Sequence, residues 1–209
     1  MTGPVKDPQK PASRDPQGKN WNPEGTPAGY QAFAAPGPAD ENAAPRRSDD
    51  ATLPYAERTA LALRETYPEE TLQIAVFRGE VTAVLEPARL LAFMKFLRDD
   101  WGYKMCHDVT SVDLYPQEPR FMVVYHLLNL EQAVRFRVKC PVSGEKPEIE
   151  SVVPLWKGAE YTEREVYDMM GIVFLHHPDL RRILMPADYE HFPLRKDFPL
   201  TGFPVGTDT

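Results

Sequence analysis

Between Val134 and Cys140 the chain reads VRFRVKC. Val134, Phe136, Val138 and Cys140 lie on one side of an extended strand and Arg135, Arg137 and Lys139 on the other, because successive side chains of a strand point to opposite faces. A strand divided in this way belongs to a sheet with one covered face and one polar face. The β signal recurs upstream in LQIAVF (72–77), VTAVL (81–85), YKMCHDVTSVDLY (103–115) and RFMVVYHLLNL (120–130). Arg78-Gly79-Glu80 is a short glycine-containing connection, which makes the first two runs a hairpin. Helices interrupt the strands. Pro54 and Pro68 bracket one, and Pro87 opens another whose broad apolar stripe is Leu90, Leu91, Phe93, Met94, Leu97 and Trp101, with Gly102 as its stop. The order αββαβββ predicts an α+β fold, a two-layer sandwich with a mostly antiparallel sheet and helices on one face.

The segment before this pattern cannot join it. Residues 1–50 hold nine of the 22 prolines, and Val5 is their only Ile, Leu or Val. Such a stretch buries too little apolar surface to offset the entropy of ordering, so it is expected to be a disordered leader, followed by a domain over 51–185 and an extended tail over 186–209. A net charge of −7 with no basic cluster argues against nucleic acid as a partner. No apolar run approaches the ~18–20 residues that cross a bilayer, so no direct membrane insertion is expected.

Few residues invite chemistry. Cys106 and Cys140 are far apart and form no C-x-x-C pair, which excludes a redox dithiol or an iron–sulfur cluster held by this chain alone. Cys106 and His107 are strand neighbours pointing to opposite faces; Cys140 shares the parity of core-facing Val138, and His126 lies within an apolar strand. Phosphate-loop, dinucleotide, nucleophile-elbow and zinc-protease motifs are absent. Thr162-Glu163-Arg164-Glu165 matches a capping box and predicts a helix start at Thr162, with Glu163 and Glu165 at its positive end, Arg164 paired with Asp168 at i,i+4, and Gly171 ending it. His176 and His177, with His191, are the one histidine set that suggests a metal-dependent hydrolase, although adjacent residues do not converge easily on one ion.

Beyond this helix lie HPDLRRILMP and a tail in which Pro186, Pro193, Pro199 and Pro204 forbid a long helix. The tail carries Tyr189, Phe192, Leu194, Phe198, Leu200, Phe203 and Val205 beside Arg195, Lys196 and Asp197. Aromatic and arginine side chains in an extended segment suit a protein interface; folding back over the chain's own sheet would hide the same groups.

The run SVVPLWKGAEYTEREVYDMMGIVFLHHPDLRRILMP followed by PLRKDFPL resembles the C-terminal signature of the C-subunit family of proton-pumping NADH:quinone oxidoreductases, respiratory complex I. DVTSVDLYP, RFMVVYHLLNL and RVKCPV resemble the family in order and spacing, over roughly 55–203. His176 stands where the family usually has Gly, and His191-Phe192 where Gly-His is usual. The resemblance implies a cofactor-free structural subunit of the hydrophilic arm, peripheral on the cytoplasmic side of the cell membrane. NADH, flavin, iron–sulfur clusters and quinone would be bound by partner subunits. Its chief partner would be the large D-subunit, among the other arm subunits. The motif and tail positions expected at the interface are Glu163, Arg164, Glu165, Asp168, His177, Asp179, Arg181, Arg182, Phe192, Arg195, Lys196, Asp197 and Phe198.

Overall fold

The computed structural model describes residues 31–32, 48–69 and 71–202. Its elements are β1 (Gln31–Ala32), α1 (Tyr55–Thr66), β2 (Thr71–Phe77), β3 (Glu80–Leu85), a 3-10 turn (Pro87–Arg89), α2 (Leu90–Asp99), β4 (Met105–Asp113), β5 (Phe121–Asn129), β6 (Val134–Val142), β7 (Glu148–Glu150), α3 (Ala159–Met170) and β8 (Val173–Leu175). Pro54 sits at the N-cap of α1, where its missing N–H costs nothing. The β2–β3 hairpin turns through Arg78 and Gly79, whose φ values of 51° and 80° match a primed two-residue turn that follows the twist of the strands.

The main sheet runs in the order β1-β2-β3-β6-β5-β4. All neighbours are antiparallel except β3 and β6, which pair in parallel from Val81↔Phe136 to Val84↔Lys139. After β3 the chain crosses through α2 to the far edge and returns by two hairpins, so β6 arrives beside β3 in the same direction. The expected α+β sandwich is therefore present, with one parallel seam at its centre. The alternation in β6 is realised as read. Phe136, Val138 and Cys140 are buried in the core with Val123, Tyr125, Leu127, Val81, Ala83, Leu63, Phe93 and Leu97. On the opposite face Arg137 bonds Glu80 and Thr82 Oγ1. A second, parallel two-stranded sheet of β7 and β8 was not expected, since three-residue strands carry no readable alternation.

Helix α3 packs along the edge strand β4, an arrangement that shields an edge from unwanted pairing. Most of the leader, and Phe203 and Val205 of the tail, lie outside the described residues. Within the leader's span, Gln31 and Ala32 pair with Val76 and Ala75, and Ser48 is bonded to Glu65 of α1. Among the described residues no helix is long and apolar enough to cross a membrane.

Candidate functional site

The stretch that carries the family resemblance folds into one corner of the molecule, built on α3. The helix begins at Ala159, three residues before the capping box, because Trp156 and Lys157 carbonyls already accept the N–H groups of Ala159 and Glu160. Thr162 is inside the helix and its hydroxyl donates to the Ala159 carbonyl at 3.1 Å. The helix ends where expected, at Gly171 with φ 73°.

Glu163 does not face solvent at the positive end of the helix. It is 0% exposed. Its Oε2 accepts the Ser151 hydroxyl and its Oε1 the Val152 N–H, both at 2.7 Å, which ties α3 to the segment leaving β7. Burial, opposed by these two hydrogen bonds, raises its pKa from the ordinary 4.5 to about 7. His177, buried as a side chain, places Nε2 3.9 Å from Glu163 Oε2. Its Nδ1 accepts the Asp179 N–H at 3.0 Å, so the ring proton is on Nε2, which donates to the Glu160 carbonyl at 3.2 Å.

This arrangement fixes a pH dependence. Between pH 4.5 and 7 the unfolded chain has released the Glu163 proton while the folded chain retains it, so stability falls as pH rises through that window and is level on either side. At 1.36 kcal/mol per pKa unit the full loss is on the order of 3 kcal/mol. Glu163→Gln, a neutral stand-in for the protonated acid, is expected to flatten this component. Melts of both proteins from pH 4.5 to 8 check it; parallel curves would refute it.

The i,i+4 pair of Arg164 and Asp168 does not form. Arg164 donates instead to the Arg181 and Arg182 carbonyls, both at 3.2 Å. Asp168, fully buried, accepts Arg182 Nη1 on Oδ1 at 2.6 Å, while its Oδ2 takes the N–H groups of Ile183, Leu184 and Met185 at 3.0, 2.7 and 2.9 Å. Burial alone would raise this carboxyl, but the converging donors outweigh it and hold it below the usual range. One carboxylate thus shapes the RRILM turn.

The tail crosses the end of the same helix. Leu194 N–H donates to the Met169 carbonyl at 3.1 Å and Arg195 Nε to the Met170 carbonyl at 2.6 Å. The Arg195 guanidinium lies 4.3 Å from the Phe192 ring centroid and 5.4 Å from that of Phe121, and the Arg182 guanidinium lies 5.2 Å from that of Phe192 and 5.7 Å from that of Tyr189. Such stacks are attractive because the ring face is negative. Lys196 N–H donates to Asp113 Oδ2 at 2.8 Å, and Arg120 bridges Asp113 and Asp197 with two hydrogen bonds to each.

The groups expected to meet a neighbour through charge are therefore matched within the chain. This holds for Glu163, Arg164, Asp168, Arg182, Arg195 and Asp197; Arg181 pairs with Asp179 at the surface at 2.8 Å. Glu165 is exposed, as is the Lys196 side chain, and Phe198 is half-buried. Ser151, Asp113 and Arg120 were missed, because each acts through a partner 12 to 83 positions away and no local pattern marks it. The three histidines do not assemble. His176 bonds Glu150 at 2.8 Å, His177 lies under α3, and His191 meets Tyr189 edge-on with ring centroids 5.6 Å apart. Among the described residues no group of three or more metal-ligating side chains occurs. His176 has φ 60°, the left-handed conformation that a glycine takes without strain. A bulge between Cys106 and Asp108 disturbs the parity of the Cys106-His107 pair, and burial pushes the Cys106 thiol up to about 12, which leaves it inert.

The signature residues of this α+β domain thus brace its own helix and tail. Residues 83–204 match the family described as respiratory-chain NADH dehydrogenase, 30 Kd subunit. The chain is 43% identical over 145 residues to the NADH-quinone oxidoreductase C-subunit of Geotalea uraniireducens, covering 69% of this chain and 88% of that protein. It is 47% identical over 146 residues to the corresponding C-subunit of Geobacter metallireducens, covering 69% and 90%. Among solved structures, a trypsin-resistant fragment (1-134) of Nqo5 is matched at 34% identity and TM-score 0.51 over 61% of this chain and all of that fragment. A chain of the membrane-bound sulfane sulfur reductase of an archaeal respiratory complex shares the fold at 24% identity and TM-score 0.61, over 69% of this chain and 85% of that chain. The chain belongs to the 30 Kd subunit family of respiratory-chain NADH dehydrogenase. It is a subunit of NADH-quinone oxidoreductase, an enzyme complex, and assembles with other subunits of that complex.

Proposed function

We propose that this chain is a cofactor-free structural subunit of the hydrophilic arm, peripheral on the cytoplasmic side of the membrane. It holds neighbouring subunits, chiefly the large D-subunit, in register for electron transfer from NADH to quinone coupled to proton translocation. The observation that supports this reading is the bracing of the signature itself. Glu163, Arg164 and Asp168 on one helix fix two separate segments, at 151–152 and 181–185, and so hold a surface rigid. Ordering that surface before assembly reduces the entropy lost on binding. Flavin, iron–sulfur clusters and quinone then belong to the partners. Removing this chain from cells is expected to abolish NADH-to-quinone turnover by the complex and to leave the D-subunit unattached to the flavin-bearing and cluster-bearing subunits. A complex purified without this chain that retains the D-subunit and full turnover would sink the proposal.

A further inference from the structure

We propose that the segment Trp21-Asn22-Pro23-Glu24, ahead of β1, folds back over the polar face of the main sheet, with Trp21 in a hollow across β5 and β6 and Glu24 on the arginines at its rim. The leader then covers a face of its own domain, whatever the subunit does in the arm.

The hollow is set by the register of the sheet. α1 and α2 pack on the core face through Leu63, Phe93 and Leu97, beside Phe136 and Val138. On the other face Arg135 stands opposite Leu128 and Arg137 opposite His126, while Glu80 bonds Arg137 and lies 3.7 Å from Arg135. Together with His107 these residues line one hollow of about 170 Å³. Leu128 gives it an apolar side, which Met105, opposite Leu128 on β4 and 39% exposed, extends. The single carboxylate of Glu80 serves two guanidinium groups, and the Arg135 side chain is left 74% exposed. An apolar side with a cationic rim suits an indole followed by a carboxylate, because guanidinium groups favour both the ring face and the charged oxygens.

The chain brings such a segment to this end of the sheet. β1 pairs antiparallel with β2, Gln31 opposite Val76 and Ala32 opposite Ala75, so the chain reaches Gln31 from the Phe77 end of β2. Phe77 pairs with Glu80, which lines the hollow. In the sheet order β1 and β6 are three strand spacings apart, about 14 Å at ~4.8 Å each. Glu24 precedes Gln31 by seven positions and Trp21 by ten, which span about 22 and 31 Å at ~3.1 Å per residue, so both reach. Pro23 favours the polyproline conformation, whose three residues per turn put Trp21 and Glu24 on the same side. Because β1 fixes one end, only a short loop has to close.

The test uses the full chain carrying a nitroxide at Asn22→Cys, read by NMR; Cys106 is inert and Cys140 buried, so the label goes to the new thiol. The amide signals of His126, Leu128 and Arg135 are expected to be lost with the label oxidised and to return on its reduction. That of Lys196, held by Asp113 at the far end of β4, is expected to persist. Trp21→Ser or Arg135→Glu is expected to abolish the loss, and Glu24→Arg to bring it back in the Arg135→Glu chain by reversing the pair. Arg135→Ala, milder at so exposed a position, repeats the test if the charge reversal disturbs the fold. Hollow signals that stay intact beside the oxidised label overturn the proposal, as does a loss unchanged by Trp21→Ser. Loss in isotope-labelled chains that merely share the solution with nitroxide-bearing ones overturns it in favour of a second copy. Acetate that shifts the same amides equally with residues 1–30 present or deleted overturns it in favour of a free carboxylate. Protection of these amides from hydrogen exchange that arises only in the assembled arm overturns it in favour of a neighbouring subunit.

Discussion

Asp168→Ala is expected to be the most damaging single change in the chain, lowering stability by about 3–5 kcal/mol, the cost of removing one member of a buried ion pair. Truncation leaves Arg182 without its carboxylate and the N–H groups of Ile183, Leu184 and Met185 without an acceptor. Each deserted buried donor adds its own desolvation penalty of about 1–3 kcal/mol unless water reaches it, so the loss is greatest if the turn stays closed. Asp168→Asn keeps an oxygen for the backbone but not the charge, and is expected to fall between the two. Chemical denaturation of the isolated chain measures all three proteins. An Ala variant within about 1 kcal/mol of wild type, the usual range of an exposed ion pair, would show that the carboxylate does not organise the turn.

Gly171→Ala is expected to cost about 3 kcal/mol, from two sources that act together. The backbone there has φ 73°, a conformation that strains a residue bearing a Cβ. An added Cβ would also stand 2.5 Å from Arg195 Nη2 and 2.7 Å from Phe192 Cζ, closer than atoms tolerate. Relief requires the ends of the Arg195 and Phe192 side chains to shift, so their stack loosens and the Leu194 N–H bond between them in sequence is expected to weaken with it. Hydrogen exchange at the Leu194 amide reports that loosening directly. Unchanged protection there, with a melting curve like wild type, would mean that the tail does not pack against the end of α3.

Much of the sheet was legible because strand periodicity is local: VRFRVKC states its two faces within seven residues, and the Arg78-Gly79 turn fixes its hairpin. Gly171 was legible as a helix stop for the same reason. The parallel seam between β3 and β6 was not, since it depends on where the chain goes during the roughly 50 intervening positions. Thr162 to Glu165 shows a local rule overruled. The capping pattern is genuine, but Ser151 and Val152 need an acceptor and take Glu163, and the helix simply starts earlier. Arg164 and Asp168 repeat the lesson, as spacing makes them neighbours while backbone groups far along the chain bind each of them more closely. For the tail, composition announced that its aromatic and basic side chains would be covered. Whether this chain or another does the covering is a question of three-dimensional reach. Here Phe121, Asp113 and the end of α3 lie within that reach and take the inner side.

The grip of Asp168 has an evolutionary corollary. Its Oδ2 contacts only peptide N–H groups at positions 183 to 185, and every residue except proline presents the same N–H. The grip therefore places almost no demand on which side chains stand at 183 and 184, which are exposed, whereas Met185 also packs against the core. Substitutions at Ile183 and Leu184 need not loosen the turn that displays them, so one anchoring acid makes the neighbouring surface free to vary.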